Sequence, residues 1–352
     1  MKKEPSIRGR GSASNPKNRF ETLELIPEPL DLDEVSSPKT QFIPDTTKGI
    51  VAYNDSPDVG FDASINPYRG CEHGCIYCYA RPTHEYLGFS SGLDFETKIV
   101  VKEKAPELLR MELSSSKWEP KVLAMSGVTD CYQPVEKRLQ LTRRCLEVLL
   151  EFRNPVAIVT KNALVTRDID LLSELARYHC AAVYVSLTTL NAKLASLMEP
   201  RASRPARRIE AIAALSAAAI PVGFLQAPMI PGLTDSEAPA IAMAAARAGA
   251  RFGGYTPLRL PHAVKSLFEN WLQENYPDKK QKVLNRVRAV RGGKLNDSNF
   301  HSRMHGEGIF AEQMADLFRL ACKRAGIEET GPRLSTDSFR RSDNFQLPLF
   351  NA

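Results

Sequence analysis

The stretch CEHGCIYC, at residues 71–78, decides most of what this sequence predicts, because it places three cysteines on one short segment. That spacing wraps a tight loop around a metal ion or an iron–sulfur cluster, for which thiolates are soft ligands. A [4Fe–4S] cluster normally takes four cysteine ligands. A loop that supplies Cys71, Cys75 and Cys78 therefore leaves one iron open to a ligand that is not protein, and an open iron favours chemistry over simple electron storage.

Two other interpretations of these cysteines have to be weighed. A zinc site could use the three thiols with His73 or His84, but the sequence lacks the second CxxC pair that structural zinc sites usually contain. A disulfide framework is disfavoured because seven cysteines is an odd number and the chain is long. The remaining cysteines are scattered, and we expect buried, inert thiols at Cys145 and Cys180.

The CxxxCxYC pattern resembles the cluster loop of radical S-adenosylmethionine (SAM) enzymes. The wider stretch NPYRGCEHGCIYCYAR, at residues 66–81, is similar to the spore photoproduct lyase-related, or DNA-repair photolyase-like, branch. The resemblance runs approximately from Val59 to Arg324. It implies a [4Fe–4S] cluster whose open iron binds SAM, and an external one-electron reductant of the flavodoxin or ferredoxin type. It also implies cleavage of SAM to a 5′-deoxyadenosyl radical, which abstracts hydrogen from the substrate.

Short apolar runs alternate with helical patterns through the middle of the chain. Six strand–helix units predict a parallel sheet, and right-handed crossovers would curl it into a partial barrel. The expected fold is α/β, a partial (β/α)6 TIM-like barrel of the radical SAM type with N- and C-terminal extensions. The predicted strands begin with the run after Phe61 and continue at residues 121–127, 156–160, 182–187, 221–227 and 252–256; the predicted helices lie at 139–152, 168–178, 206–219, 237–248 and 309–324.

The composition divides the chain into four predicted regions. Residues 1–58 are expected to form a flexible basic arm and an extended lead-in, residues 59–260 the radical SAM core, residues 261–330 a C-terminal helical extension, and residues 331–352 a polar tail. The arm could touch phosphates or remain a solvated tail. Its basic residues are Lys2, Lys3, Arg8, Arg10, Lys17 and Arg19.

Polar residues follow the predicted strands, where parallel α/β sheets bind their ligands. Ser126, Lys161 and Ser186 end the second, third and fourth strands. A lysine can meet the SAM carboxylate, and serine hydroxyls can meet its amino group and ribose. The resemblance implies SAM contacts from these three residues and from Tyr77, the aromatic of CxYC, beside the adenine. The alternatives are that the serines are turn residues and that Lys161 is a surface charge.

Cys131 is the candidate catalytic residue, because a thiol is an apt hydrogen-atom donor. In the spore lyase the donor cysteine lies at the end of strand two, immediately before its serine pair. Here Met125 occupies that place, and Cys131 lies five residues after Ser126. This departure puts thymine-dimer repair in doubt.

Two basic clusters and a histidine segment raise further hypotheses. The chain carries a formal net charge of +6. Arginine clusters suit phosphates, although solvated helix faces have the same composition. The two histidines in residues 301–308 could reach a second metal or the substrate, or the segment could be a glycine-rich helix entry. The clusters are Arg201, Arg204, Arg207 and Arg208, and Arg286, Arg288, Arg291 and Lys294.

These observations predict a radical SAM enzyme of the lyase-like type. Its first candidate substrate is a nucleic-acid base or lesion, and its second is a protein or small molecule. The alternative from another class is a non-catalytic zinc or iron–sulfur module that binds nucleic acid. The sequence has no apolar run long enough to span a membrane and no apolar segment after Met1-Lys2-Lys3, so we expect a cytoplasmic protein without a signal peptide.

Overall fold

The structure is a computed structural model that describes residues 7–21 and 38–341. Predictions for Lys2 and Lys3, for much of the lead-in and for most of the polar tail fall outside these residues. In chain order, the strands are β1 (Gln41–Pro44), β2 (Val51–Tyr53), β3 (Ala63–Ile65), β4 (Tyr68–Arg69), β5 (Lys98–Val101), β6 (Leu123–Met125), β7 (Val156–Thr160), β8 (Ala181–Ser186), β9 (Val222–Met229) and β10 (Phe252–Pro257).

The main sheet of the described residues has the strand order β10-β9-β8-β7-β6-β3-β2. Every neighbouring pair from β3 to β10 is parallel, and β2 joins the edge antiparallel to β3. Six parallel strands in this order confirm the predicted α/β fold and its partial barrel. A small second sheet pairs β5 with β1 in parallel and with β4 antiparallel.

Helices connect the strands close to the predicted positions. Pro205 and Pro239 stand in the first turn of their helices, where a missing N–H costs nothing. The helices are α1 (Asp94–Thr97), α2 (Ala105–Ser114), α3 (Glu136–Leu139), α4 (Leu141–Phe152), α5 (Ile169–Arg177), α6 (Ala192–Met198), α7 (Pro205–Ala217), α8 (Ala238–Arg247), α9 (Val264–Asn275), α10 (Pro277–Val290), α11 (Ser302–His305) and α12 (Ile309–Ala325), with 3-10 turns at Arg81–Leu87, Ala163–Asp168 and Asp235–Glu237.

Apolar side chains from both faces of the sheet form one large core. β8 is buried along most of its length, as expected for a central strand of a parallel sheet. From α12, Phe318 packs against Phe224 of β9 with ring centres 5.8 Å apart. In residues 7–21 and 38–341, no helix is long and apolar enough to cross a membrane.

Two helix starts differ from the prediction. The helix expected from residue 139 begins at Leu141, because Gln140 has a φ of 53° and separates α3 from α4. Asp168 stands at the N-cap of α5 but does not cap it with its side chain. Its carboxylate instead accepts hydrogen bonds from the hydroxyl of Tyr132 at 3.0 Å and from Arg143 at 3.0 Å.

Candidate metal and cofactor site

The three clustered cysteines lie on the loop after β4, close to the carboxyl end of the first parallel strand. Cys71 and Cys75 are buried, Cys78 is half-buried, and all three thiols are free. Burial raises the pKa of each thiol, and for Cys71 the nearby charges of Asp130 and Cys75 raise it further. Such thiols ionise readily only when a cation neutralises them. This donor set therefore fits a positively charged iron–sulfur group.

A buried arginine, Arg81, fixes the path of the cysteine loop. Its Nε donates to the carbonyl of Cys75 at 2.9 Å, and its Nη2 donates to the carbonyl of Gly74 at 3.1 Å. Nη2 also contacts Oε1 of Glu96 at 2.5 Å, and both charged side chains are completely buried. Buried charges are tolerated when they are paired and hydrogen-bonded. This pair therefore holds the loop carbonyls in one arrangement.

The residues between the first two cysteines are held by the segment after β6. The N–H of Glu72 donates to Oε1 of Gln133 at 2.9 Å, and its Oε2 accepts from the N–H of Val135 at 2.7 Å. Oε1 of Glu72 lies 3.1 Å from the guanidinium of Arg201. The end of the second parallel strand thus helps to shape the cysteine loop.

His73 links the cysteine loop to the ends of β6 and β7. Its Nδ1 lies 3.3 Å from Oδ2 of Asp130, and its Nε2 lies 3.2 Å from Nδ2 of Asn162. Asp130 also accepts from the hydroxyl of Thr160 at 2.8 Å and from the N–H of Lys161 at 2.7 Å. Burial acts to raise the pKa of Asp130, but His73 and these donors lower it to about 2. Asp130 is therefore ionised at neutral pH and orients the imidazole.

Lys161, the predicted partner of the SAM carboxylate, reaches toward the cysteine loop from the end of β7. Its Nζ donates to the carbonyl of Ala227 in β9 at 3.3 Å and lies 5.9 Å from the centre of the Tyr77 ring. Burial raises the pKa of the Cys75 thiol, and the Lys161 charge partly offsets that rise. The ammonium group therefore lies within electrostatic reach of the thiols.

Tyr77 is buried, and a second ion pair fixes its hydroxyl. The hydroxyl donates to Oε1 of Glu199, and Glu199 pairs with Arg208; both charged side chains are 1% exposed. Burial acts to raise the pKa of Glu199, but the charges of Arg208 and Lys161 lower it to about 2. The carboxylate therefore stays ionised, and the tyrosine ring is held in one orientation.

The two predicted serines lie at strand ends in different environments. Ser186, the last residue of β8, is 2% exposed, and its carbonyl accepts from Nη1 of Arg208 at 3.0 Å. Ser126 directly follows β6 with a φ of 82°, and its hydroxyl accepts from the N–H of Cys131 at 2.9 Å. A positive φ is uncommon for serine and marks a sharp turn at the strand end.

Cys131, the candidate hydrogen donor, is fully buried behind that turn. Its carbonyl accepts from the hydroxyl of Thr142 at 2.6 Å, and its side chain belongs to the main hydrophobic core. Burial and the charge of Asp130 raise the pKa of the thiol. This environment favours packing over contact with a bound substrate.

The two histidines proposed as zinc ligands lie in different environments. Both ring nitrogens of His73 already have polar partners. The ring of His84 packs against Phe89 and Phe95, with centres 5.2 and 5.6 Å apart, and burial lowers its pKa to about 4. His73 is therefore engaged elsewhere, whereas both buried ring nitrogens of His84 lack a hydrogen-bond partner among the described residues.

Residues 301–308 form α11 and the glycine-containing entry to α12. The N–H of His301 donates to Oδ1 of Asp58 at 2.6 Å, and Arg303 pairs with the same carboxylate.

Within the described parts of the chain, no group of three or more His, Cys, Asp or Glu side chains is arranged to hold a single metal ion.

Most residues of the two predicted basic clusters form ion pairs or hydrogen bonds within the chain. In the first cluster, Arg201, Arg207 and Arg208 each form an ion pair with a glutamate. In the second, Arg286 pairs with an aspartate, and Arg291 is buried and donates to backbone carbonyls. These contacts engage five of the eight basic residues, and the phosphate-binding hypothesis for the two clusters stays a prediction.

Sequence reasoning missed the two acids that brace the cysteine loop. Glu96 and Glu199 lie in or next to short helices that are remote from the loop in sequence, and no spacing marks them. The only local signal was Arg81, which directly follows the CxYCYA stretch. An arginine so close to a buried loop requires an acid or carbonyls as partners.

The sequence matches the radical SAM superfamily over residues 65–245, just over half of the chain. The chain therefore belongs to the radical SAM superfamily, which supports an enzymatic role. It is 36% identical over 220 residues to an uncharacterized protein of Mycobacterium tuberculosis (strain ATCC 25618 / H37Rv), covering 62% of this chain and 65% of that protein. It is 29% identical over 227 residues to an uncharacterized protein of Methanocaldococcus jannaschii, covering 64% of this chain and 81% of that protein. The match thus spans less than two thirds of the mycobacterial relative.

Solved structures of spore photoproduct lyase share the fold. The lyase complexed with dinucleoside spore photoproduct is 16% identical with a TM-score of 0.58, covering 82% of this chain and 81% of that chain. A mutant lyase with bound AdoMet and dinucleoside spore photoproduct is 15% identical with a TM-score of 0.55, covering 82% and 80%. At this identity the likeness establishes the architecture alone.

Proposed function

We propose that this chain binds a [4Fe–4S] cluster through Cys71, Cys75 and Cys78, binds SAM beside it, and abstracts hydrogen from a substrate. The observation that carries the proposal is a loop of three free thiols, braced by buried ion pairs, at the ligand-binding edge of a parallel sheet. When bound, the cluster would supply the one-electron reduction of SAM, with the electron drawn from an external flavodoxin- or ferredoxin-like reductant. This reduction would cleave SAM to methionine and a 5′-deoxyadenosyl radical.

Lys161 and Tyr77 are the SAM-binding residues that the geometry supports best. The ammonium of Lys161 offers a positive charge to the SAM carboxylate next to the thiols. The Tyr77 ring is held by Glu199 and can lie beside the adenine without losing side-chain entropy on binding. Ser126 and Ser186, at the ends of β6 and β8, are proposed to complete the contacts to the amino group and ribose.

A nucleic-acid base or lesion is the substrate class that we propose first. Tyr79, next to the last cysteine, is 51% exposed, and the guanidinium of Arg259 lies 5.5 Å from its ring centre. An exposed aromatic ring beside a guanidinium suits base stacking and phosphate contact. Spore photoproduct lyase, which shares the fold, is described with a bound dinucleoside photoproduct, and this supports the same substrate class.

Anaerobic reconstitution with iron and sulfide, followed by EPR of the reduced protein with and without SAM, tests the proposal. We expect a [4Fe–4S] signal that changes with SAM, and formation of 5′-deoxyadenosine. Cys71→Ala, Cys75→Ala and Cys78→Ala should each abolish both, whereas Cys322→Ala, a matched substitution in the core, should preserve both. Full activity of any loop variant would contradict the cluster assignment.

The substrate class is tested by fluorescence anisotropy with a labelled single-stranded oligonucleotide. Tyr79→Ala and Arg259→Gln should each weaken binding about tenfold, because each removes a stacking or phosphate contact. Met111→Ala, an exposed substitution on α2, is the control. Absence of oligonucleotide binding, together with normal SAM cleavage, would favour a protein or small-molecule substrate. Stoichiometric zinc in a colourless protein would favour a non-catalytic binding module.

The hydrogen-donor role of Cys131 stays a prediction that substitution can decide. Loss of product from Cys131→Ala with 5′-deoxyadenosine formation intact would assign it the donor role. Unchanged product formation would assign the buried thiol to the core.

A further inference from the structure

Residues 10–20, here called the N-terminal strap, run across the cysteine loop. The N–H groups of Gly11 and Ser12 donate to the two carboxylate oxygens of Glu96 at 2.9 Å each, and Nη1 of Arg10 donates to the Glu96 carbonyl at 2.9 Å. Glu96 is also the partner of Arg81, which binds the loop carbonyls. One buried carboxylate therefore joins the strap to the cysteine loop.

Two glycines allow the strap and the loop to touch. A Cβ on Gly11 would lie 1.8 Å from the carbonyl oxygen of Gly74, which no real side chain tolerates. Gly74 itself has a φ of +65°, and a Cβ there would lie 2.5 Å from Oε2 of Glu96. Glycine is the residue that permits both the left-handed conformation and the close backbone approach.

The contact continues beyond the loop. Asn15 and Asp94 exchange two hydrogen bonds, of 3.0 and 2.8 Å. The amide of Asn18 donates to the carbonyl of Glu85 at 2.9 Å, and Arg19 pairs with the Glu85 carboxylate at 2.5 Å. Arg19, one of the basic residues predicted to be available to phosphates, is thereby engaged in holding the strap.

We propose that the N-terminal strap is part of the cofactor site: through Glu96 it positions the cysteine loop, and it shields the loop thiols from solvent and oxidants. Thiolate character and access decide how fast a cysteine is oxidised, and the shell around a metal site controls solvent entry. The inference rests on the proposed function only for what the loop holds. The docking itself is a property of the metal-free chain.

The test is the rate at which iodoacetamide modifies each cysteine of the full-length, metal-free protein under anaerobic conditions, measured by peptide mass spectrometry. Gly11→Ala places a methyl group against the Gly74 carbonyl and should lift the strap. We expect Cys71 and Cys75 to react about tenfold faster than in the wild type, as for a local opening. The rates at Cys145 and Cys322, in the core, should not change.

Two further variants make the result decisive. Arg10→Ala removes the bonds to Glu96 and to the Pro38 carbonyl without adding bulk, and should raise the same two rates by a smaller factor. Lys17→Ala is the matched control, since the described residues offer its exposed side chain no hydrogen bond or ion pair. Wild-type rates in Gly11→Ala would overturn the proposal, and so would a uniform rise at every buried cysteine, because the strap would then act on global stability.

Oxygen sensitivity of the reconstituted protein provides the second measurement. Loss of visible cluster absorbance in air should be faster in Gly11→Ala than in Lys17→Ala, and equal rates would overturn the shielding role. Failure of the wild type to assemble a cluster would instead contradict the proposed function and leave the alkylation result standing.

Discussion

The described structure surrounds the cysteine loop with two buried ion pairs that hold different parts of it. In the first, called the backbone pair, Arg81 donates to the carbonyls of Gly74 and Cys75 and is paired with Glu96. Arg208 and Glu199, the side-chain pair, instead hold the hydroxyl of Tyr77. The backbone pair fixes the path of the loop that carries the thiols. The side-chain pair fixes the orientation of the Tyr77 ring, which lies between Cys75 and Cys78 in the sequence.

Under the proposed function, this difference separates two tasks of a single loop. A cluster needs its ligands at fixed positions, and these depend on the backbone. SAM needs a surface of fixed side chains, and these depend on rotamers. Breaking the backbone pair should therefore impair cluster binding, and loosening the side-chain pair should impair SAM binding while the cluster remains.

The largest expected effect is that of Arg81→Gln. It leaves Glu96 buried without its cation, which typically costs about 3–5 kcal/mol. Chemical denaturation of the metal-free protein should show that loss, and iron content after reconstitution should fall to a small fraction of the wild-type value. Arg177→Gln, in an exposed pair with Glu174, should cost no more than about 1 kcal/mol. Normal iron content in Arg81→Gln would contradict the expectation that the backbone pair is needed for cluster binding.

Tyr77→Phe should have a smaller and more selective effect. It removes a hydrogen bond to the ionised carboxylate of Glu199, worth about 1.5–3 kcal/mol. We expect weaker SAM binding by isothermal titration calorimetry at unchanged iron content. Tyr53→Phe is the control, because its hydroxyl lies 3.3 Å from a glutamate in an exposed position. Equal SAM affinity in wild type and Tyr77→Phe would leave the side-chain pair without a role in cofactor binding.

The buried His84 should make the free energy of unfolding depend on pH. Burial lowers its pKa from 6.5 to about 4, so the unfolded chain binds a proton at a higher pH than the folded protein does. The free energy of unfolding should therefore decrease as the pH falls from about 6.5 to about 4. His84→Phe should reduce this slope, and His305→Gln, at an exposed position, should preserve it. Identical slopes in wild type and His84→Phe would show that the histidine does not contribute.

The smallest effect is expected from Cys145→Ala. This thiol is buried in α4, away from both ion pairs, so the cost is that of a small cavity, about 1 kcal/mol. Iron content and SAM cleavage should match the wild type. A loss of iron in Cys145→Ala would mean that cluster binding responds to general stability. The effects of the two ion pairs could then not be assigned to separate roles.

The sequence was informative wherever the signal is local. Alternating apolar runs predicted the six parallel strands, and β7 was predicted at its observed bounds. The cysteine loop was recognisable from its CxxxCxYC spacing, and Lys161 was predicted to follow a strand, which the structure confirms. The partners of Arg81 and Tyr77 were not predictable, since Glu96 and Glu199 reach the loop only through tertiary packing.

The composition of the first twenty residues predicted a flexible arm, whereas the structure docks residues 10–20 on the protein. Glycine, serine, asparagine and proline in the first twenty residues suggested solvated chain, yet the same residue types serve the strap. Gly11 allows close approach, Ser12 offers an N–H, and the amide of Asn18 donates to the backbone. Such residues favour loops whether or not the loop is docked. Only the docking partner distinguishes the two cases.

The contact between Gly11 and Gly74 joins two segments that are synthesised early. Residues 10–98 hold the strap, the cysteine loop and Glu96, so synthesis delivers all three before Glu199 and Arg208. A strap that docks on an empty loop closes off the thiols from incoming iron. On the proposed shielding role, we expect cofactor loading and strap docking to compete in the newly made chain.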